Sequence, residues 1–211
     1  MIDFYTWNTP NGRKLSIMFA ETGLAYQLKP INIRKSEQKQ PEFLKINPNG
    51  RIPALFDHET GQRVFESGAG LIYLAEKSGQ FFQQSQKQEI LSWLFWQAGG
   101  LGPMLGQYNH FKSLKDKQAY SEKHFLCESF RLLAVMECTL KEQPYLAGKE
   151  YSIADIMCYP WASSAMKGFT QSHPQHVQNY PFLQGWLNQI RQRPGVQQGN
   201  AVLAELSQSL Y

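Results

Sequence analysis

Along its first eighty residues the chain changes hydrophobic period several times, and after that it keeps only one. Ile2 to Trp7 is a short apolar run that predicts a buried strand, and Pro10-Asn11-Gly12 is a turn opening a helix in which Leu15, Met18 and Phe19 recur at i, i+3 and i+4. Thr22-Gly23 stops that helix. Tyr26 to Ile33 predicts a second strand, Pro41-Glu42-Phe43-Leu44 a short helix, and Asn47-Pro48-Asn49-Gly50 a turn. Ile52 to Phe56 and Arg63 to Phe65 predict a hairpin across Glu59-Thr60-Gly61-Gln62, followed by a helix from Ser67 to Lys77 that ends at Gly79. The predicted order is β-α-β-α-β-β-α.

From Gln86 onward the pattern is helical only, near 86–98, 118–142, 152–168 and 180–193. A mixed α/β unit over 1–82 followed by an all-helical unit over 86–211 fits this better than one continuous sheet. The polar run Gln83-Gln84-Ser85-Gln86-Lys87 marks the boundary.

Composition narrows the class. With 211 residues, 42% hydrophobic and 18% charged, the chain can bury a substantial core. Its formal charge of +4 is spread evenly, so the basic arm or stripe of a nucleic-acid binder is missing. The longest apolar stretches, such as Leu71 to Ala75, fall far short of the roughly 20 residues of a membrane span, and no membrane association is expected. Met1-Ile2-Asp3-Phe4-Tyr5 lacks a basic region ahead of an apolar run, so it does not read as a secretory signal. Three cysteines without a zinc spacing point to a reducing, cytoplasmic setting.

Three junctions could carry chemistry. Thr9-Pro10-Asn11-Gly12 hands a strand over to a helix, whose N-terminal N–H groups could hold an anionic sulfur or carboxylate; it also reads as a plain N-cap with a first-turn proline. Arg51-Ile52-Pro53-Ala54-Leu55 puts a proline at a strand start, where a cis bond would turn the Ile52 backbone outward and a trans bond is the commoner case. Phe65-Glu66-Ser67-Gly68-Ala69 could hold a ligand carboxylate on Ser67 and its ammonium on Glu66, or be a Ser N-cap beside a surface Glu.

Other features read as structural. Ser152-Ile153-Ala154-Asp155 is a capping box. Trp93-Leu94-Phe95-Trp96 leads into Gly99-Gly100-Leu101-Gly102-Pro103, too rich in glycine for a regular helix; it is either core or the kinked wall of a cleft. Cys127 and Cys138 share a helix face and read as buried thiols. They and Cys158 lack a Cys-x-x-Cys partner, and His173 and His176 lack neighbouring Cys or Asp ligands, so no metal is expected.

Taken together, these segments resemble the glutathione S-transferase family over nearly the whole chain. Arg51-Ile52-Pro53-Ala54-Leu55 matches its cis-proline segment, Glu66-Ser67 its γ-glutamyl site and Ser152-Ile153-Ala154-Asp155 its helix-capping signature. Thr9-Pro10-Asn11-Gly12, Gln38-x-x-Pro41-Glu42-Phe43 and Trp93-Leu94-Phe95-Trp96-Gln97 with Gly102-Pro103-Met104-Leu105-Gly106-Gln107 are similar to the bacterial nu class, the disulfide-bond oxidoreductases.

The resemblance implies an α/β thioredoxin-like N-terminal domain, an all-α C-terminal domain, a cis Pro53 and a homodimer. It implies glutathione, reduced or as its disulfide, as cosubstrate. Thr9 and Asn11 would bind its sulfur as the catalytic residues, with Gln38, Arg51, Ile52, Pro53, Glu66, Ser67 and Arg131 holding the rest of the peptide. The implied activity is reduction of disulfides by a bound glutathione thiolate, with organic hydroperoxides as further substrates. Conjugation of glutathione to electrophiles and a non-enzymatic glutathione-binding module are the alternatives. One departure is Ser36-Glu37, where the pattern leads one to expect smaller, glycine-like residues; Glu37 could weaken binding of a second peptide's carboxylate.

Overall fold

The computed structural model describes residues 1–208, with side chains through Glu205. The chain divides into two compact units. The first joins Met1–Phe82 to the segment that begins at Arg191, and the second is Gln83–Ile190.

In the first unit, β1 (Ile2–Thr6) runs parallel to β2 (Tyr26–Pro30), with Ile2 opposite Tyr26. It runs antiparallel to β3 (Ala54–Asp57), which pairs in turn with β4 (Gln62–Phe65), giving the sheet order β2-β1-β3-β4. A parallel pair needs a crossover, and α1 (Pro10–Thr22) supplies it. The Leu15, Met18 and Phe19 stripe is fully buried, and the Phe19 ring lies 5.2 Å from Phe4 and 4.4 Å from Tyr26. A short helix, α2 (Pro41–Leu44), leads to the cis Ile52–Pro53 bond, and α3 (Ser67–Ser78) follows β4, with Leu71 and Leu74 in the core.

The second unit holds α4 (Lys87–Trp96), α5 (Gly102–Ser113), α6 (Ala119–Glu142), α7 (Ile153–Ser172), α8 (Pro174–Val177) and most of α9 (Pro181–Arg191). The glycine-rich run is a π-helical turn, Gln97–Leu101, that carries α4 into α5 without a break. At the head of α7, Ser152 Oγ accepts from the Ala154 N–H at 3.2 Å while Asp155 accepts from the Ser152 N–H at 3.0 Å.

Several expectations need correction. β2 stops at Pro30 rather than Ile33, because Asn32 caps a 3-10 turn, Ile33–Lys35. Helices α5, α8 and α10 (Pro194–Gln208) lie outside the helical segments expected from the sequence; Pro174 and Pro194 open theirs in the first turn, where proline gives up no needed hydrogen bond. The second domain was drawn over 86–211, yet α10 packs in the first unit. A Cβ on Gly199 would come within 2.6 Å of the Ile17 backbone, so only glycine allows this approach to α1. Arg193 forks onto Glu21 of α1 at 2.7 and 2.9 Å. Cys127 and Cys138 are exposed, since the face of α6 they share is not the one carrying its buried Leu132, Leu133 and Met136; only Cys158 is buried.

Candidate functional site

The sulfur end of the expected site is the head of α1. Thr9 has extended backbone, and its Oγ1 accepts from the Gly12 N–H at 3.1 Å. Capping therefore uses the hydroxyl as an acceptor and leaves its proton for another partner, so cap and anion donor are compatible roles for one side chain. Asn11 follows in the first turn, half-buried. Gly12 is fixed by crowding, because a Cβ there would lie 2.3 Å from the Trp7 carbonyl oxygen and 2.5 Å from Thr6 Oγ1. Tyr5 does not belong to this group. Its hydroxyl turns back to Asp3 at 3.4 Å, and burial together with that carboxylate holds the phenol above its ordinary pKa.

Beyond the sulfur end, Pro53 is buried and Ile52 is half-buried, packing against Trp7 and Leu203. The ladder on β3 begins at Ala54, so Ile52 precedes it. Asn47 ties the segment down by donating to the Arg51 carbonyl at 2.6 Å, while the Arg51 side chain is exposed. In Gln38, Oε1 is buried without a protein hydrogen-bond partner. Neighbouring Ser36 has φ +58°, a left-handed conformation that glycine would adopt freely. Glu37 is turned into its own loop, accepting from the Asn32 N–H at 2.6 Å, so its charge is partly spent locally.

At the third junction, Ser67 opens α3 and is 7% exposed. No side chain caps this helix, and Glu66 before it has φ +69°, strained for a non-glycine residue. Glu66 itself is exposed. Sequence reasoning missed Lys14, which is 1% exposed and whose Nζ donates to Ser67 Oγ at 3.1 Å. The available signal was its place four residues before Met18, at the margin of the buried stripe of α1.

Arg131 lies in the second unit, on α6. Its exposed guanidinium makes two bonds to the Glu128 carboxylate, at 2.7 and 2.8 Å, which hold that carboxyl below its usual pKa. Among the described residues no group of three His, Cys, Asp or Glu could hold a metal ion, and no helix is long and apolar enough to cross a membrane.

Family models identify the two parts of this architecture. Residues 2–76 match the N-terminal domain of glutathione S-transferases and residues 101–194 match their C-terminal domain; the chain belongs to the glutathione S-transferase family. Among its relatives is the disulfide-bond oxidoreductase YfcG of Escherichia coli, 41% identical over 96% of this chain and 95% of that protein. A glutathione transferase of Burkholderia graminis, solved with two glutathione molecules per subunit, superposes with a TM-score of 0.87 at 37% identity, covering 94% of this chain and 87% of that one. One from Pseudomonas putida, solved with one glutathione disulfide per subunit, gives 0.86 at 38% identity over 94% and 90%.

Proposed function

We propose that the protein is a glutathione-dependent disulfide reductase whose nucleophile is the thiolate of bound glutathione. The observation that carries this reading is the absence of any cysteine from residues 1–82, where Thr9, Asn11 and Ser67 all lie. Cys127, Cys138 and Cys158 are all in the second unit. The reactive sulfur therefore arrives with the ligand. A relative named as a disulfide-bond oxidoreductase, and glutathione transferases solved with glutathione or its disulfide, support the same class.

Thr9 and Asn11 donate hydrogen bonds to the glutathione sulfur, favouring the thiolate by preorganised dipoles rather than by a base. The thiolate attacks one sulfur of a substrate disulfide, forming a mixed disulfide and releasing one thiolate, which takes up a proton. A second glutathione thiolate then attacks the glutathione sulfur of that mixed disulfide. The balance is one disulfide and two glutathiones giving two thiols and glutathione disulfide. With an organic hydroperoxide, the same thiolate displaces alcohol, and the second glutathione resolves the sulfenic acid with loss of water.

The rest of the peptide is held by the Ile52 backbone at its cysteinyl unit and by Ser67 and Glu66 at its γ-glutamyl head, with Arg51 and Pro53 flanking the Ile52 contact; the family resemblance assigns Gln38 and Arg131 to the glycyl or second-glutathione end. Arg131 has only an exposed partner to give up, and such pairs contribute about 0–1 kcal/mol. Arg131→Ala then raises the KM for glutathione more than it lowers kcat, as loss of uniform binding does.

The test is a cysteine-free protein, with Cys127, Cys138 and Cys158 changed to Ala or Ser. Steady-state assays with glutathione and a small disulfide should retain most of the activity. Abolished turnover in a folded protein that still binds glutathione would make one of these residues the nucleophile and remove the bound-thiolate mechanism.

A further inference from the structure

We propose that Lys14 is a positioning residue that fixes the Ser67 hydroxyl as a donor and so makes the Ser67 end of the site selective for a carboxylate. This rests on the reading of Ser67 as the receptor for the γ-glutamyl head.

The argument begins with hydrogen-bond polarity. A serine hydroxyl has one proton and two lone pairs, whereas a lysine ammonium can only donate. With Lys14 Nζ 3.1 Å from Ser67 Oγ, the oxygen is the acceptor in that contact. The hydroxyl proton is then directed away from Lys14, toward whatever occupies the head of α3. Ser67 is thereby fixed as a donor, and a donor suits a carboxylate and repels an ammonium. Without Lys14 the hydroxyl could rotate and present either its proton or its lone pairs.

Charge acts in the same direction. Lys14 is 1% exposed, so water screens it little, and its bond to Ser67 brings it to the helix end that already carries partial positive charge. Glu66, exposed and adjacent, has the opposite sign. A buried cation behind Ser67 and an exposed anion beside it form the complement of an amino-acid zwitterion. Lys14 acts through the hydroxyl to which it donates.

Calorimetry on the full-length protein tests this with two ligands, glutathione and its decarboxylated analogue γ-aminobutyryl-cysteinyl-glycine. The wild-type protein should bind glutathione about tenfold or more tightly than the analogue, the scale of one hydrogen bond to a charged group. Lys14→Met should lose most of that preference by weakening glutathione while leaving the analogue within about twofold, a pattern that general damage to the fold does not produce. Adding Lys14→Met to Ser67→Ala should cause little further loss. Full discrimination by a folded Lys14→Met protein overturns the proposal and leaves the site reading intact; failure of the wild-type protein to bind glutathione, or to discriminate, removes that reading and the proposal with it. If Lys14→Met does not fold, nuclear magnetic resonance of wild-type protein carrying 13C-labelled lysine replaces it. The Lys14 Cε resonance should shift on saturation with glutathione and much less with the analogue, and equal shifts or none would overturn the proposal.

Discussion

Two helices in this molecule, α3 and α7, carry a serine at their heads, and their first turns are built in opposite ways. At the head of α7 the donors of Ser152, Ala154 and Asp155 are answered from within. Ser152 caps the Ala154 N–H, and the fully buried Asp155 carboxylate takes N–H bonds from Ser152 and Leu146 and from the Trp186 indole, each at 3.0 Å. At the head of α3 no side chain caps the turn, the residue before it is strained, and a buried lysine backs the serine. Similar local sequence thus serves two ends: a closed helix start holds the second unit together, and an open one with a fixed cation behind it is suited to meet an anion from outside.

The comparison is broken most severely by Asp155→Ala. It leaves four donors, two of them on Ser152, without their acceptor in a dry environment and should lower stability by about 3 kcal/mol or more in urea unfolding, with glutathione affinity of the folded protein unchanged. Ser67→Ala should show the converse. It should weaken glutathione by about 1–3 kcal/mol in calorimetry while the unfolding midpoint moves much less than for Asp155→Ala; equal affinity would remove Ser67 from the site.

Acid titration sharpens the contrast further. Burial pushes the Asp155 carboxyl up to about 6, against the pull of its N–H donors, so the folded state holds this proton more tightly than the unfolded chain does. Its contribution to stability is therefore fullest below about pH 4 and declines as pH rises to about 6; Asp155→Asn should flatten that part of the stability profile. Asp57 in the first unit has the opposite sign. Burial pushes it up, but hydrogen bonds from Tyr73, Lys77 and the Glu59 N–H bring it down to about 2, so its contribution is present above pH 4 and is lost as pH falls toward 2. The smallest effect should come from Thr9→Ala. As a plain cap it is worth about 1 kcal/mol of stability, and as a sulfur donor its loss should also cut disulfide turnover by roughly tenfold. Loss of stability with full turnover would make the head of α1 structural only, like that of α7.

Much of this contrast was legible in the chain. The capping box at Ser152 and Asp155 is a local pattern with a local cause, and it formed as read. The cis bond at Pro53 was legible only through the family resemblance, because a lone Ile-Pro favours trans. Lys14 was not legible, since a lysine beside Arg13 reads as a solvated helix face; its burial depends on α3, far away in sequence. Cys127 and Cys138 misled for the complementary reason: their spacing put them correctly on one face, but only tertiary packing decides which face is covered. α10 was hidden by the proline and glycine at its start, which suit a first turn and a close approach to α1.

That close approach bears on the order in which the protein is made. α1 leaves the ribosome before the second unit and α10 after it, with the whole of that unit synthesised in between. Leu203 covers Trp7 beside the Thr9 turn, and Gly199 lies against the backbone at Ile17. The half that carries Thr9, Asn11, Lys14 and Ser67 therefore waits, with the flank of α1 bare, until the second unit has been made, contrary to the usual expectation that an N-terminal domain matures first. A nascent chain stalled before Pro194 would contain each of these residues and still lack the helix that seats them, so removing α10 should silence a site whose named residues all lie outside that helix.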